Sequence, residues 1–184
     1  FAADVEPHEY EQLERLITGD YTTEERILLD VEVIKEDGSK HYLAVNDAVV
    51  ARGQLSKTID LHLTLDGDEI SKYRADGLLF ATPTGSTAYS LSAGGPILAP
   101  KMECILMTPV CPHSLFSRSV LFSGESELSV HVKIPEECCC VLTIDGEKNV
   151  PVLATDRVVI RKSDLKLKLA LLHNRNFYKL LNEK

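Results

Sequence analysis

Short runs of alternating or continuous apolar residues recur along the chain, and they predict a protein built mostly of β-strands. In the first part of the chain, the pattern predicts strands over residues 24–34, 41–52, 58–65 and 69–73. Asp-Gly pairs at Asp37 and at Asp66 stand between these strands, as in hairpins. Further strands are predicted over residues 103–110, 119–122, 127–134, 139–144, 150–153, 157–162 and 166–172. Such a succession favours an antiparallel sandwich or stacked-sheet domain.

Two helices are predicted at the ends of the chain. Residues 7–18 combine Pro7 in the first turn, a stop at Gly19 and apolar residues at helical spacing, namely Leu13, Leu16 and Ile17. The apolar residues after position 176 favour the start of a second helix, and they are Phe177, Leu180 and Leu181. The chain therefore reads as mainly β with a helix at each end.

Residues 76–96 differ from the rest and predict a strand, a sharp turn and a helix of about two turns. Pro83 ends the strand because it has no N–H for the sheet, and Ser86 is predicted to cap the helix. Gly94 and Gly95 before Pro96 close it. Hydroxyl residues are unfavourable inside helices, so this helix is not built to fill a core. Its hydroxyls and the free N–H groups of its N-terminus suit an anionic or polyhydroxylated ligand such as a nucleotide. A capped, solvated helical turn is the alternative interpretation.

The same segment resembles the signature segment of the NAD kinase family. The similarity is carried by the string Thr-Pro-Thr-Gly-Ser-Thr-Ala-Tyr-Ser-Leu-Ser-Ala-Gly-Gly-Pro, residues 82–96. Further matching pieces follow the family's order, and they are residues 45–47, 52–53, 112–115 with Arg118, 144–147 and 177–184. The resemblance covers essentially the whole chain. The family's Gly-Gly-Asp-Gly-Thr motif, which lies in an N-terminal α/β domain, has no counterpart in these 184 residues.

This resemblance implies a fold and a domain organisation. Residues 21–184 correspond to the family's β-rich, NAD-binding C-terminal domain. This domain is mainly β, an antiparallel sandwich-like fold, and its short helices make the chain α+β overall. Residues 1–20 correspond to a helix and a junction with the N-terminal α/β domain, with Phe1 at that junction. The family also implies assembly into a homodimer or a homotetramer.

The implied activity is that of an NAD kinase. ATP, with a divalent cation such as Mg²⁺, phosphorylates the 2′-hydroxyl of the adenosine ribose of NAD. Phosphoryl transfer needs mainly positioning and charge neutralisation. The aspartate that activates the hydroxyl belongs to the Gly-Gly-Asp-Gly-Thr motif, so we expect no catalytic or metal-binding residue in this sequence, and no activity from it alone. A catalytically silent nucleotide-binding or sensing domain and a related lipid kinase remain alternatives.

The resemblance also assigns substrate-binding residues. Asn46 and Asp47 match the Asn-acidic pair that contacts the adenine and the ribose, although glutamate is common where Asp47 stands. Arg74 and Asp76 match residues that reach the dinucleotide. The remaining positions that the family uses for substrate are Lys57, Thr87, Ala88, Tyr89, Ser90, Leu91, Ser92 and Glu147. Glutamine is usual at the last of these. Local chemistry alone would make Asn46 and Asp47 outward-facing polar residues, and Arg74 with Asp76 a surface ion pair.

Composition excludes some classes of protein. The 20 basic and 28 acidic residues give a net charge of −8, which argues against binding to nucleic acid or to anionic membranes. No apolar run approaches the roughly 18 residues of a membrane span. The five cysteines lack paired ligand spacing and indicate reduced thiols in a cytoplasmic protein. A Ser-His-Asp hydrolase using Ser86, His113 and Asp76 has no nucleophile-elbow motif to support it.

Overall fold

Two six-stranded antiparallel sheets form most of the protein in the computed structural model, which describes residues 7–53, 58–114, 117–133, 139–173 and 177–182. Sheet A has the strand order β2-β1-β12-β9-β4-β5, and sheet B has the order β11-β10-β3-β6-β7-β8. The strands are β1 Thr22–Lys35, β2 Gly38–Ala44, β3 Asp47–Arg52, β4 Ile59–Leu65, β5 Asp68–Ala75, β6 Gly77–Ala81, β7 Cys104–Val110, β8 Val120–Ser123, β9 Leu128–Lys133, β10 Cys140–Ile144, β11 Lys148–Val152 and β12 Arg157–Leu171. The predicted mainly β fold is confirmed.

The main hydrophobic core lies between the two sheets. Val31 and Leu63 of sheet A and Val50 and Phe80 of sheet B are fully buried members of one apolar cluster. Their alternate neighbours point to the opposite faces, because side chains alternate along a strand. Phe80 is one of the largest of these buried side chains.

A second, smaller core covers the outer face of sheet B. It contains Val49, Leu79, Leu106 and Cys104, together with Leu98 from the chain that follows the signature segment. The central strands of sheet B are therefore buried on both faces, which explains why residues 78–81 read as a continuous apolar run. The signature segment thus packs against the outer face of sheet B, while the inner face of that sheet packs against sheet A.

Two of the predicted strand divisions are wrong. Residues 41–52 form two strands, β2 in sheet A and β3 in sheet B, because the chain bends at Val45 and Asn46 to change sheets. Residues 157–162 and 166–172 belong to one strand, β12, whose register against β1 shifts between Ile27 and Leu29. The shift places residues 163–165 in a bulge, which is why that stretch looks like a turn in the sequence.

Both predicted Asp-Gly hairpins are confirmed. Asp66 and Gly67 have positive φ angles of 51° and 94°, as a tight turn between β4 and β5 requires. The other hairpin pairs Lys35 of β1 with Gly38 of β2.

The predicted terminal helices are present, although the first is irregular. Residues Pro7–Leu13 form a 3-10 helix with a break at Glu9, followed by the helix α1 at Glu14–Thr18. Gly19 ends it with a φ of 76°. The short helix α2 of the signature segment spans Tyr89–Ser92, and the last helix, α3, spans Phe177–Asn182. None of the helices in the described part of the chain is long and apolar enough to cross a membrane.

Candidate functional site

The Val45–Asp47 turn joins the two sheets, and one carboxylate holds it. The backbone N–H groups of Val45, Asn46 and Asp47 donate to the carboxylate of Asp145 at 2.8, 2.7 and 3.0 Å. In return, the N–H of Asp145 donates to the carbonyl oxygen of Asp47 at 2.9 Å. Asp145, about a hundred positions away in the sequence, therefore fixes the backbone of three consecutive residues, and two of these are predicted site residues.

The signature segment holds the same turn from the other side. Thr82 donates through its N–H to the carbonyl of Asn46 at 2.9 Å, and through its hydroxyl to the carbonyl of Val45 at 2.7 Å. The N–H of Gly85 donates to that same hydroxyl at 3.0 Å. A Cβ at Gly85 would lie 1.9 Å from the carbonyl oxygen of Asn46, so only glycine allows this approach. The two motifs of the predicted site thus meet directly.

Asp47 has an unusual environment for a carboxylate. Its side chain is buried, with only 5% of the residue exposed, and it makes no hydrogen bond to any other described residue. Burial, and then the nearby charge of Asp145, raise the pKa of Asp47 to about 6. A carboxylate in this state has free acceptor capacity for the hydroxyls of a ligand.

The predicted cap at Ser86 is wrong. Ser86 lies inside a 3-10 turn, Gly85–Thr87, and is fully buried. Its hydroxyl donates to the carbonyl of Pro83 at 2.7 Å and accepts from the N–H of Leu98 at 3.0 Å. The helix α2 begins later, spans only Tyr89–Ser92, and has no side-chain cap. The serine hydroxyl therefore fastens the segment to the protein and does not begin a helix.

The other predicted signature residues divide by exposure. Ser90 is buried and its hydroxyl lies 3.1 Å from that of Thr108, so it fastens α2 to β7. Thr87 and Ala88 are half-buried, and Thr87 donates to the carbonyl of Thr84 at 3.2 Å. The side chains on the solvent side are Tyr89, Leu91 and Ser92. This exposed edge is the part of α2 that a ligand can reach.

A second group of residues surrounds a cavity of about 560 Å³ beyond the far end of β3. Asp76 and Tyr89 line it together with Arg52, Gly53 and Cys111. Arg52 binds Asp76 at two points, with Nε to Oδ1 at 2.8 Å and Nη2 to Oδ2 at 2.9 Å. Such a two-point contact fixes the carboxylate in one orientation.

Arg74 and Asp76, both among the described residues, do not form the ion pair that local chemistry suggested, because Asp76 binds Arg52 instead. Arg74 lies in β5 of sheet A, and its Nε donates to the hydroxyl of Thr58 at 3.3 Å. Asp76 stands between β5 and β6, where the chain passes from sheet A to sheet B. The alternation of side chains does not continue across that crossing, so the two residues do not share a face.

The predicted site residues thus fall at the two ends of β3. Asn46 and Asp47 lie at its start, beside the signature turn, while Asp76 and Tyr89 lie near its end at Arg52. Five residue steps along a strand correspond to about 16 Å. Glu147 is exposed in the turn that follows Asp145, and Lys57 lies outside the described residues.

Ser86, His113 and Asp76 do not assemble into a hydrolase triad. His113 is exposed and its N–H donates to the carbonyl of Arg74. The hydroxyl of Ser86 is bonded to two backbone groups, and Asp76 binds Arg52. The structure therefore gives no support to the hydrolase interpretation.

Asp145 and Arg52 were not among the predicted site residues. Each of them follows an apolar strand and precedes a glycine, within a segment that matches the family. The residues that they bind are distant in the sequence. Across the described parts of the chain, no group of three His, Cys, Asp or Glu side chains is arranged to hold a metal ion.

Comparison with known proteins now identifies the family. Residues 45–172 match the model of the ATP-NAD kinase C-terminal domain, and this range includes both ends of the site. The chain belongs to the NAD kinase family. Similar NAD kinases are those of Natranaerobius thermophilus, 39% identical over the whole chain, and of Magnetococcus marinus, 39% identical over 95% of it.

Solved NAD kinase structures share the fold. The yeast NADH kinase, in complex with NADH, aligns with 98% of this chain at a TM-score of 0.84 and 29% identity, over 55% of its own chain. An NAD kinase from Archaeoglobus fulgidus in complex with ATP aligns with 95% of this chain at a TM-score of 0.77 and 27% identity, over 64% of its own. The chain spans 65% and 58% of the length of the two bacterial NAD kinases.

Proposed function

We propose that this chain is the NAD-binding part of an NAD kinase, which transfers a phosphoryl group from ATP to the 2′-hydroxyl of the adenosine ribose of NAD. The observation that carries the proposal is the Val45–Asp47 turn, held by Asp145 on one side and by the signature segment on the other. Preorganised polar groups of this kind lower the cost of binding a ligand. Relatives named NAD kinase and NADH kinase support the choice of ligand.

Within this proposal, each end of the site has a role. Asn46 offers an amide to the adenine, and the buried Asp47 carboxylate accepts from the ribose hydroxyls. The exposed edge of α2 contacts the dinucleotide, and Asp76 contributes from the cavity at the other end of β3. Lys57 and Glu147 are proposed as further contacts. This division uses the residues for positioning, which is the main requirement of phosphoryl transfer.

The reacting groups come from elsewhere in this proposal. The divalent cation arrives with ATP, and the hydroxyl is activated by a residue of a Gly-Gly-Asp-Gly-Thr motif in a further N-terminal domain, with residues 1–20 at the junction. The 184 residues alone should then bind NAD without forming NADP. We also propose that the full-length enzyme is cytoplasmic and acts as a homodimer or homotetramer.

The test is a calorimetric titration of the chain with NAD, with NADH and with ATP in parallel. We expect saturable NAD binding that an Asn46→Ala, Asp47→Ala double variant loses, and little heat from ATP. Asp37→Ala, which removes an exposed carboxylate in the β1–β2 turn, is the control and should bind NAD as the unaltered chain does.

A kinase assay on the full-length protein decides between the remaining alternatives. Formation of NADP that requires Asn46 and Asp47 supports the kinase. NAD binding without NADP formation would indicate a silent nucleotide-sensing domain, and phosphorylation of a lipid in place of NAD would indicate the lipid kinase. Either of these two results would overturn the proposed activity.

A further inference from the structure

Asp145 is bonded more completely than a turn residue needs to be. Its two carboxylate oxygens accept three backbone N–H groups from Val45, Asn46 and Asp47, all within 3.0 Å. Its own backbone has a φ of 49°, in the left-handed region, and Gly146 follows with a φ of 73°. Aspartate is one of the few residues other than glycine that adopt this region readily, so the turn presents the carboxylate without unusual backbone strain.

The bonds leave the side chains of the turn unused. The carbonyl groups of Val45 and Asn46 accept from Thr82, and the three N–H groups donate to Asp145. In the described part of the chain, the Asn46 amide and the Asp47 carboxylate have no hydrogen-bond partner. Every backbone group that would otherwise compete for these side chains is thus occupied.

We propose that Asp145 is a positioning residue for the adenosine ribose of the substrate, because its carboxylate fixes the peptides from which Asn46 and Asp47 reach the ligand. This rests on the proposed function, since it needs NAD to bind at the turn. Asp145 does not touch the substrate in this proposal. It acts through the two residues that do.

Asp145 also acts on Asp47 through its charge. It is the one described charge that contributes to the raised pKa of Asp47, after burial. The other elements packed against β3 offer little unpaired charge: β6 carries no titratable residue, and β10 carries the buried thiol of Cys140. The charged residues of β1 all have ion-pair partners, and they are Glu24, Glu25, Arg26, Asp30, Glu32 and Lys35. Glu147 follows in the same turn and is exposed, and Lys148, the first residue of β11, lies with its Nζ 4.6 Å from the centre of the Tyr42 ring.

The experiment measures NAD affinity of the full-length protein as a function of pH for Asp145→Asn. The amide keeps the size of the side chain but cannot accept all three N–H groups, so the dissociation constant should rise about tenfold to a hundredfold. Removing the negative charge should also move the acid limb of the binding profile to lower pH, because Asp47 then ionises more readily.

Asp156→Asn is the matched control. Asp156 is a buried aspartate that also accepts a backbone N–H, from Leu153 at 2.9 Å, and it binds Lys35 at 2.8 Å. It lies outside the site, so its variant should lower stability and leave both the NAD affinity and the acid limb unchanged. A purely structural role for Asp145 would make the two variants behave alike.

The outcomes separate this inference from the proposed function. If the unaltered protein does not bind NAD, the proposed function fails and this inference fails with it. If it binds NAD and Asp145→Asn has the same affinity and the same acid limb, only the inference is overturned. Should Asp145→Asn not fold, Asp145→Glu decides: weakened binding with an unshifted acid limb supports the role, and unchanged affinity overturns it.

Discussion

Folding disfavours the charged form of the Asp47 side chain. Its pKa of about 6 in the folded protein exceeds the 3.8 expected for the unfolded chain, so folding favours the protonated form. The contribution of Asp47 to stability is therefore greatest below pH 4 and is lost as the pH rises through 6. Retaining a destabilising charged group beside the signature turn is typical of residues kept for binding.

Replacing this carboxylate should stabilise the protein at high pH. We expect the free energy of unfolding of Asp47→Asn to exceed that of the unaltered protein by about 2 to 3 kcal/mol at pH 8, because a shift of two pKa units corresponds to that much energy. The difference should disappear by pH 4. Urea denaturation at both pH values measures it, and a difference that does not change with pH would contradict this explanation.

The Arg52–Asp76 pair should couple more strongly than an ordinary surface pair. Arg52 contacts both carboxylate oxygens of Asp76, and the two side chains are only 23% and 26% exposed. The side chains of Lys72 and Glu69 are 63% and 47% exposed. A double-mutant cycle with Arg52→Met and Asp76→Asn should give a coupling energy of about 1 kcal/mol. The corresponding cycle for the exposed pair Lys72 and Glu69 should give a clearly smaller coupling. Equal couplings would show that the shape of the contact adds nothing.

At the scale of elements, the signature segment depends on the close approach of its turn to the β2–β3 connection. Gly85→Ala would place a methyl group against the carbonyl of Asn46, which backbone atoms cannot avoid without moving. We expect it to lower the free energy of unfolding by more than about 2 kcal/mol and to abolish NAD binding.

Gly67→Ala is the control for this change. Gly67 also sits in a turn, but a Cβ there would contact nothing within 4 Å, so only the cost of its positive φ remains, about 1 kcal/mol. Its NAD affinity should be unchanged. Denaturation and calorimetry on both variants test the expectation, and equal losses of affinity would contradict it.

The elements set by local sequence were predictable, and those set by distant partners were not. The hairpin at Asp66 and the strand ending before Pro83 follow from turn chemistry and from the lack of a proline N–H. The bend at Asn46 was missed because its cause, Asp145, lies far along the chain. Ser86 has the composition of a helix cap, but its tertiary bonds to Pro83 and Leu98 give it another role. Composition could not have predicted which strands exchange sheets.

At the scale of the whole molecule, the two cores should open separately. Cys140 belongs to the core between the sheets, and Cys104 belongs to the core under the signature segment. Burial raises the pKa of both thiols, that of Cys140 to about 12. Cys111 and Cys139 are exposed. Buried thiols react with alkylating agents only when the structure around them opens.

Thiol alkylation should therefore distinguish three classes. With iodoacetamide at pH 8, mapped by mass spectrometry, we expect Cys111 and Cys139 to react first, Cys104 more slowly, and Cys140 only at the rate of global unfolding. Saturating NAD should slow Cys104 further, because a ligand on the signature segment opposes its opening. Reaction of Cys104 and Cys140 as fast as Cys111 would contradict this separation of the cores.

The pairing of β1 with β12 has a consequence for synthesis of the protein. Thr22 pairs with Leu171 and Ile34 with Arg157, so the longest ladder of sheet A joins strands from opposite ends of the domain. Contacts between residues so distant in sequence form slowly. On the ribosome, the 14-residue strand β1 emerges well before β12 and keeps one edge without its partner until β12 has been translated. An open edge of that length invites pairing with other chains, so the nascent protein needs shielding during translation more than its finished form does.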